Sequence, residues 1–347
     1  MKQKILVLDG ISGISLGREI ADSLIECAQD VSHCPARDLP VKKFYKLSSA
    51  IKKVIHKQIL AEDYYRNPKI SNSELINLIE QSQADIIFVI GFLYRFFDLN
   101  VIKQLKQKHA FKLFLYDTDS CNLFNNKREL LYFFNHELPV YDHIYSFSKT
   151  TTEFINKLNH LNASHFPFGA KPIPLATMTQ ENDILFVGSA DMRRIFLLEQ
   201  LSNFRLSVFG SKWQRNKALI SAQLNQQIHS RAIWNETLYQ QLFSSKIVLN
   251  ITRSTFYGVE TGINLRIFET LSAQRFLLTD HTPELAELFK IGTEIESYSS
   301  SEELVDKVRY YLKNEDKRDK IARQGHQLFL QKYTWNARIK ELLTDFK

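Results

Sequence analysis

The chain has 347 residues, a formal net charge of +7 and three cysteines. That length exceeds what a single hydrophobic core serves, so two domains are expected. Charge is spread along both halves, which excludes a basic duplex-binding domain and with it a nucleic-acid partner, and no stretch approaches the ~18–20 uninterrupted apolar residues of a membrane span.

The N-terminal stretch MKQKILVLDGISG lacks the apolar core and small-residue cleavage site of a signal peptide. The sparse, odd cysteine set of Cys27, Cys34 and Cys121 points to a reducing compartment, so a cytoplasmic location is expected. Cys27, His33 and Cys34 lack a second ligand pair, and no metal site is expected there.

In chain order, KILVLDG (4–10) reads as a buried strand. A glycine-bearing loop with Gly10, Ser12 and Gly13 follows, and then the amphipathic segment REIADSLIECAQ. From Leu39 to Ala61 there is no carboxylate, while Lys42, Lys43, Lys46, Lys52, Lys53 and Lys57 fall inside. Its second part, SSAIKKVIHKQIL, places Ile51, Val54, Ile55 and Ile59 at helical spacing. Two readings stand for the basic segment 42–57: a helix with a solvated basic face, or a peripheral contact with an acidic acceptor or the inner face of an anionic membrane.

NSELINLIEQSQ (72–83) is read as a helix, ADIIFVIG (84–91), FKLFLYD (111–117) and HIYSFS (143–148) as strands, and KTTTEFINKLN as a helix. At GAKPIPLATMTQEND (169–183) two prolines fix an extended connector, the expected domain boundary. The alternation then restarts with DILFVGS (183–189), a helix from Met192, RLSVFGSKW (205–213), a helix around NETLYQQLFSS and KIVLNIT (246–252). Next come the stretch GINLRIFETLSAQRFLLTD (262–280), PELAELF, and a tail that is helical almost to the end. Short continuous apolar runs alternating with helices indicate parallel sheets covered on both faces. The fold class is therefore α/β, with two doubly wound Rossmann-like domains.

In open parallel sheets, ligands bind beyond the carboxyl ends of the strands. In the second half those positions are Gly188, Ser189, Arg193 and Arg194, then Gly210, Ser211 and Lys212, then Thr252 and Arg253, then Gly262 with Asn264. Glycines admit close backbone approach, helix starts offer unpaired N–H groups, and four cations gather, which together describe a diphosphate site. Arg266 and Glu269 follow on the same helix; at i,i+3 they can pair with each other, or Glu269 can accept from a sugar diol.

These stretches, with DILFVGSADMRRIFLLEQL and the closing DKVRYYLKNEDKRDKIARQGHQLFLQKYTWNARIKELL, resemble the GT-B glycosyltransferases, in particular the CgeB-like (spore maturation protein) branch of the group-1 glycosyltransferases. The resemblance spans residues 183–347 and, through LPVYDHIYSFSKTTTEFINKL and HFPFGA, the end of the first domain. It implies an N-terminal acceptor-binding domain (1–172), a C-terminal donor-binding domain (173–325) and a closing helix (326–347) that crosses back to the first domain, anchored by Trp335. The sheets would face a central cleft holding the reaction, with the loop of Gly10, Ser12 and Gly13 lining its acceptor side. The activity implied is transfer of a sugar from a UDP-, GDP- or dTDP-linked donor to a hydroxyl on a glycan, a lipid-linked saccharide or a protein, with no metal and no cofactor beyond the nucleotide sugar. Glu269 matches the glutamate that holds the donor ribose, Asn264 and its helix start match the diphosphate cradle, and Arg193 or Arg194 with Lys212 match the cations on the phosphates. One position departs: where many relatives outside this branch carry a first glutamate, this chain has Thr261, with Glu260 displaced by one.

For the catalytic base, Asp117 or Asp119 in the DTD stretch is the expectation, with a helix-capping or loop role as the competing one for Asp119. His136, read as a loop residue, is the third candidate. A nucleotide-sugar epimerase of the same architecture, or a non-catalytic spore or surface assembly protein, would share the fold.

Overall fold

The computed structural model describes residues 3–11, 16–56, 65–120, 123, 126–158, 160–261 and 263–346. The chain divides into two compact units, Met1–Pro167 with Ile339–Lys347, and Phe168–Arg338.

The first unit carries six strands: β1 (Lys4–Asp9), β2 (Asp30–Pro35), β3 (Ile86–Ile90), β4 (Lys112–Asp117), β5 (His143–Ser146) and β6 (Ala163–His165). They form one parallel sheet in the order β2-β1-β3-β4-β5-β6. Strands β1, β3 and β4 read as near-continuous apolar runs because both of their faces are buried; β3 has no exposed residue along IIFVI.

The second unit repeats the design with β7 (Asn182–Val187), β8 (Leu206–Phe209), β9 (Ile228–His229), β10 (Ser245–Asn250), β11 (Leu277–Asp280) and β12 (Glu296–Tyr298). The order is β12-β11-β10-β7-β8-β9, again all parallel. In unit-internal numbering this is the 3-2-1-4-5-6 order of a doubly wound sheet, whose direction of winding reverses between β7 and β10. The first sheet reverses between β1 and β3. Ligand crevices in such sheets open at those reversals, beyond the carboxyl ends of the strands.

The closing segment is fixed at both of its ends. Trp335 is buried, its N–H donates to the Ala170 carbonyl at 3.1 Å, and Ala170 donates in turn to Tyr333 at 3.0 Å. A Cβ on Gly169 would lie 3.0 Å from the Trp335 ring, so the absence of a side chain there lets the indole close on the backbone. The helix Trp335–Asp345 passes out of the second unit at Arg338. Within the first unit, Phe346 is fully buried, stacks on Phe114 with centroids 4.9 Å apart and meets Phe88 edge-on at 5.8 Å. Its carbonyl accepts from the Gln3 amide at 3.0 Å. The chain end thus completes the first unit's core. Phe346→Ala is expected to cost ~3–5 kcal/mol in that unit, read as a lower midpoint in equilibrium urea unfolding.

Candidate functional site

The site positions lie at the winding reversal of the second sheet, beyond β7 and β10. Strands β7 and β8 come so close at their ends that a Cβ on Gly210 (φ +152°) would sit 1.9 Å from the Gly188 carbonyl oxygen. That oxygen accepts from the Trp213 indole at 3.1 Å, and the Ala190 N–H donates to Ser211 at 2.9 Å, so the two turns are laced together. Lys212, in the left-handed region at φ +67°, extends from the second of them and is exposed.

Asp191 caps the helix Met192–Glu199 by accepting from Arg194 N–H at 2.9 Å. Its other oxygen accepts from Ser254 N–H at 3.1 Å, which ties the turn after β7 to the turn after β10. Arg193 and Arg194 then divide between two tasks. The Arg194 side chain is buried; Nε donates to the Ile251 carbonyl at 2.9 Å and Nη1 to the Ser189 carbonyl at 2.8 Å. Burial lowers its guanidinium to about 10, still protonated at neutral pH. Arg193 forks onto the buried Asp280 carboxylate at the end of β11, donates to the Thr252 carbonyl at 3.1 Å and lies over the Tyr257 ring at 3.8 Å. Burial alone would pull the Arg193 guanidinium down, but Asp280 outweighs it and the net shift is upward. Both arginines expected on the phosphates are thus bonded to the protein. Charge-assisted hydrogen bonds of ~1.5–3 kcal/mol each make such partners hard to give up.

The cations closest to solvent at this edge are Lys212 and Arg253, the latter exposed and donating to the Ser189 hydroxyl at 3.3 Å. Thr252 N–H donates to Asp280, while the buried Thr252 hydroxyl finds no hydrogen-bond partner among the described residues.

Asn264 caps the helix Leu265–Ser272: its Oδ1 accepts from Arg266 N–H at 3.0 Å. Its amide donates to Asn250 Oδ1 at 3.0 Å, and Asn250 donates to the Thr279 hydroxyl at 2.8 Å, a polar chain across the ends of β10 and β11. Arg266 and Glu269 do form the i,i+3 pair, at 2.6 Å, with both side chains largely buried. Arg266 Nε has no hydrogen-bond partner among the described residues. Thr261 is buried, and the displaced Glu260 stands exposed at φ +56°. Gly262, Ser12, Gly13, Lys57, Ile59 and Cys121 lie outside the described residues.

The three candidate bases belong to the first unit. Asp117 ends β4 and is buried; Oδ1 accepts from Asp119 N–H (3.2 Å) and Ser120 N–H (2.9 Å), and Oδ2 from the Ser120 (2.6 Å) and Ser146 (3.0 Å) hydroxyls. Burial raises its carboxyl and these bonds oppose the rise. Asp117 therefore holds the turn after β4, and Asp119 is the half-buried carboxylate beside it. His136 is not in a loop: it sits in the π-helical turn Phe133–Glu137, its ring 4.8 Å from that of Tyr132. Gly10 follows β1, where a Cβ would meet the Phe92 carbonyl at 2.8 Å.

Sequence reasoning missed Glu137. It is fully buried, and its carboxylate accepts from Leu93 N–H (2.9 Å), Tyr94 N–H (2.8 Å) and the Tyr141 hydroxyl (2.8 Å), pinning the turn after β3. The signal available was a lone acid amid the apolar LLYFFNHELPVY. Among the described residues no group of three or more His, Cys, Asp or Glu could hold a metal ion.

A family model described as glycosyl transferase-like matches residues 193–344. The chain has the two-domain architecture of the GT-B fold, and most of its second unit matches that glycosyl transferase-like model. Among solved structures it is similar to sucrose-phosphate synthase from Thermosynechococcus elongatus, at 10% identity and a TM-score of 0.68 over 99% of this chain and 98% of that one. It is also similar to Anabaena HepE in complex with UDP-glucose, at 12% identity and a TM-score of 0.65 over 99% and 100%. A glycosyltransferase from Rickettsia africae aligns at 12% identity and a TM-score of 0.62 over 100% and 98%. No curated protein sequence matches the chain.

Burial raises the Glu137 carboxyl from 4.5 to about 7 against the three hydrogen bonds that favour its charged form. A carboxyl raised on folding stabilises the protein below its unfolded value and loses that contribution as pH rises through the folded one. Wild-type unfolding free energy should therefore fall between about pH 4.5 and pH 7 relative to Glu137→Gln, a difference measured by urea titrations across that range.

Proposed function

We propose that the nucleotide-sugar donor binds at the carboxyl edge of the second sheet and the hydroxyl acceptor in the first unit, within the CgeB-like branch of the superfamily. Lys212 and Arg253 meet the diphosphate, joined by the N–H groups at the Asn264 end of the helix Leu265–Ser272. Glu269, oriented by Arg266, accepts from the ribose hydroxyls, and the Thr252 hydroxyl hydrogen-bonds a donor oxygen. Arg193 and Arg194 act as positioning residues, shaping the turns that carry Ser189, Thr252 and Arg253. Gly188 and Gly262 keep the backbone open to close approach.

The chemistry needs the negative charge that develops on the departing nucleoside diphosphate to be neutralised. Fixed cations and a helix start, already oriented, do this without reorganisation and without a metal ion. Asp119 is the leading base for the acceptor hydroxyl, because Asp117 already accepts four hydrogen bonds. His136 is second. The acceptor is a glycan, a lipid-linked saccharide or a protein hydroxyl.

The observation that carries this reading is the gathering of Ser189, Lys212, Thr252, Arg253 and Asn264 at one winding reversal. HepE is seen with UDP-glucose, which makes that the first donor to test. A ligand at a hundredfold excess over its Kd stabilises by ~2.7 kcal/mol, so a thermal-shift series of nucleoside diphosphates and their sugars reads the site directly. Lys212→Ala and Glu269→Gln should each weaken the donor ~10-fold or more, Lys212→Ala with an apo melting temperature near that of the wild type and Glu269→Gln with a lower one from the weakened Arg266 pair. Glutamine is chosen because it keeps an acceptor for Arg266. Arg194→Ala should lower the apo melting temperature itself, having stranded two carbonyls. Full-strength donor binding in both Lys212→Ala and Glu269→Gln would discard the assignment.

A further inference from the structure

The helix Tyr45–His56 presents the wrong side to solvent. At about 100° per residue, Leu47, Ile51, Val54 and Ile55 share one stripe, and Phe44 continues it toward the helix start. These side chains are between 50% (Ile51) and 79% (Phe44) exposed. Tyr45, Ser48, Ser49 and Lys52, on the other side, are the half-buried ones, and the Ser48 hydroxyl reaches Asn67 at 3.5 Å. A surface helix of a globular protein normally does the reverse, turning its apolar stripe to the core. Phe44 adds to the oddity: it holds φ +61°, a region that bulky residues rarely enter, and so carries its ring outward.

The charge within the segment that carries this stripe has one sign. Lys43 and Lys46 are exposed, Lys42 and Lys52 half-buried, and no acid occurs from Leu39 to Ala61. A second copy of the chain would cover the apolar side chains but would bring lysines against lysines with no acid in the segment to pair them. A soluble acidic chain would satisfy the lysines and leave the stripe wet. An anionic bilayer satisfies both, with acyl boundary for the stripe and headgroups for the amines.

We infer that Phe44 and the helix Tyr45–His56 form a docking surface for anionic lipid bilayers, with Phe44, Leu47, Ile51 and Val54 entering the interface and Lys43 and Lys46 meeting the headgroups. Docking requires no turnover and is independent of the donor site. It extends the proposed transfer to acceptors held at a lipid surface, and only that extension rests on the glycosyltransferase reading.

The test is co-sedimentation of the full chain with vesicles of phosphatidylcholine alone and of phosphatidylcholine with phosphatidylserine. Partition is expected with the anionic vesicles only, weaker at high salt. It should fall ~10-fold or more in the double variants Leu47→Ser/Val54→Ser and Lys43→Gln/Lys46→Gln. Because these positions are exposed or flank exposed ones, both variants should keep the wild-type melting temperature and nucleoside diphosphate shift. Absence of partition, partition that both variants retain, or equal partition with neutral vesicles would overturn the inference. So would a concentration-dependent dimer in sedimentation velocity that Leu47→Ser/Val54→Ser abolishes, which assigns the face to a second copy. A preserved diphosphate shift without vesicle binding separates this failure from failure of the donor site.

Discussion

The arrangement at the edge of the second sheet depends on how a parallel sheet ends. Each strand stops with peptide groups that the ladder no longer pairs, and burying them unpaired is costly. Here charged side chains supply the missing partners. Arg194 takes the carbonyls of Ser189 and Ile251, and Asp280 takes the Thr252 N–H and the Arg193 fork. Asp191 takes an N–H from each of two helix starts. Because these groups span β7, β10 and β11, the turns around the crevice are held as a set, and the spacing of Ser189, Lys212 and Arg253 is set before any ligand arrives. Such preorganisation is what electrostatic catalysis requires, since dipoles already in place need not be reoriented as charge develops.

The interior of each sheet was legible in the sequence, and the edges were not. The buried central strands β1, β3, β4, β7, β10 and β11 announce themselves as apolar runs. The four strands that sequence reading passed over, β2, β6, β9 and β12, are the two edges of each sheet. Their sequences, DVSHCP, ASH, IH and ESY, are short or polar, as edge strands are when they avoid pairing with other chains. Strand-like periodicity is weakest where one side of the strand is unpaired and partly wet, so only the completed sheet identifies them.

The same division holds for the site. The rule that ligands bind beyond strand ends locates Gly188, Ser189, Lys212, Thr252, Arg253 and Asn264 from sequence, because the strands that end there are the easy ones. What each cation does was not legible. Arg193 and Arg194 are adjacent in the chain, yet one lies on the buried Asp280 carboxylate, 87 positions away, and the other on two carbonyls, of which that of Ile251 is 57 positions away. For Arg266 and Glu269 the plain helical reading was correct as geometry: they pair. That pairing fixes the carboxylate's direction, and a positioned carboxylate is a better diol acceptor than a mobile one.

The two units share a chain trace and differ in the chemistry of their carboxyl edges. In both, buried carboxylates cap the turns: Asp9 accepts from Ile11 N–H, Asp117 from Asp119 and Ser120, Glu137 from Leu93 and Tyr94, and Asp280 from Thr252. In the second unit Arg193 grips one of them, Asp280, directly. In the first, burial pushes Asp9, Asp117 and Glu137 all upward, and Arg95, the arginine of the turn after β3, is engaged by Glu129 at 2.8 Å. On the proposed reading, the charge at the two edges, more than the shared fold, is what sets the donor unit apart from the acceptor unit. It also argues against Asp117 as the base: its loss would first undo the turn that carries Asp119.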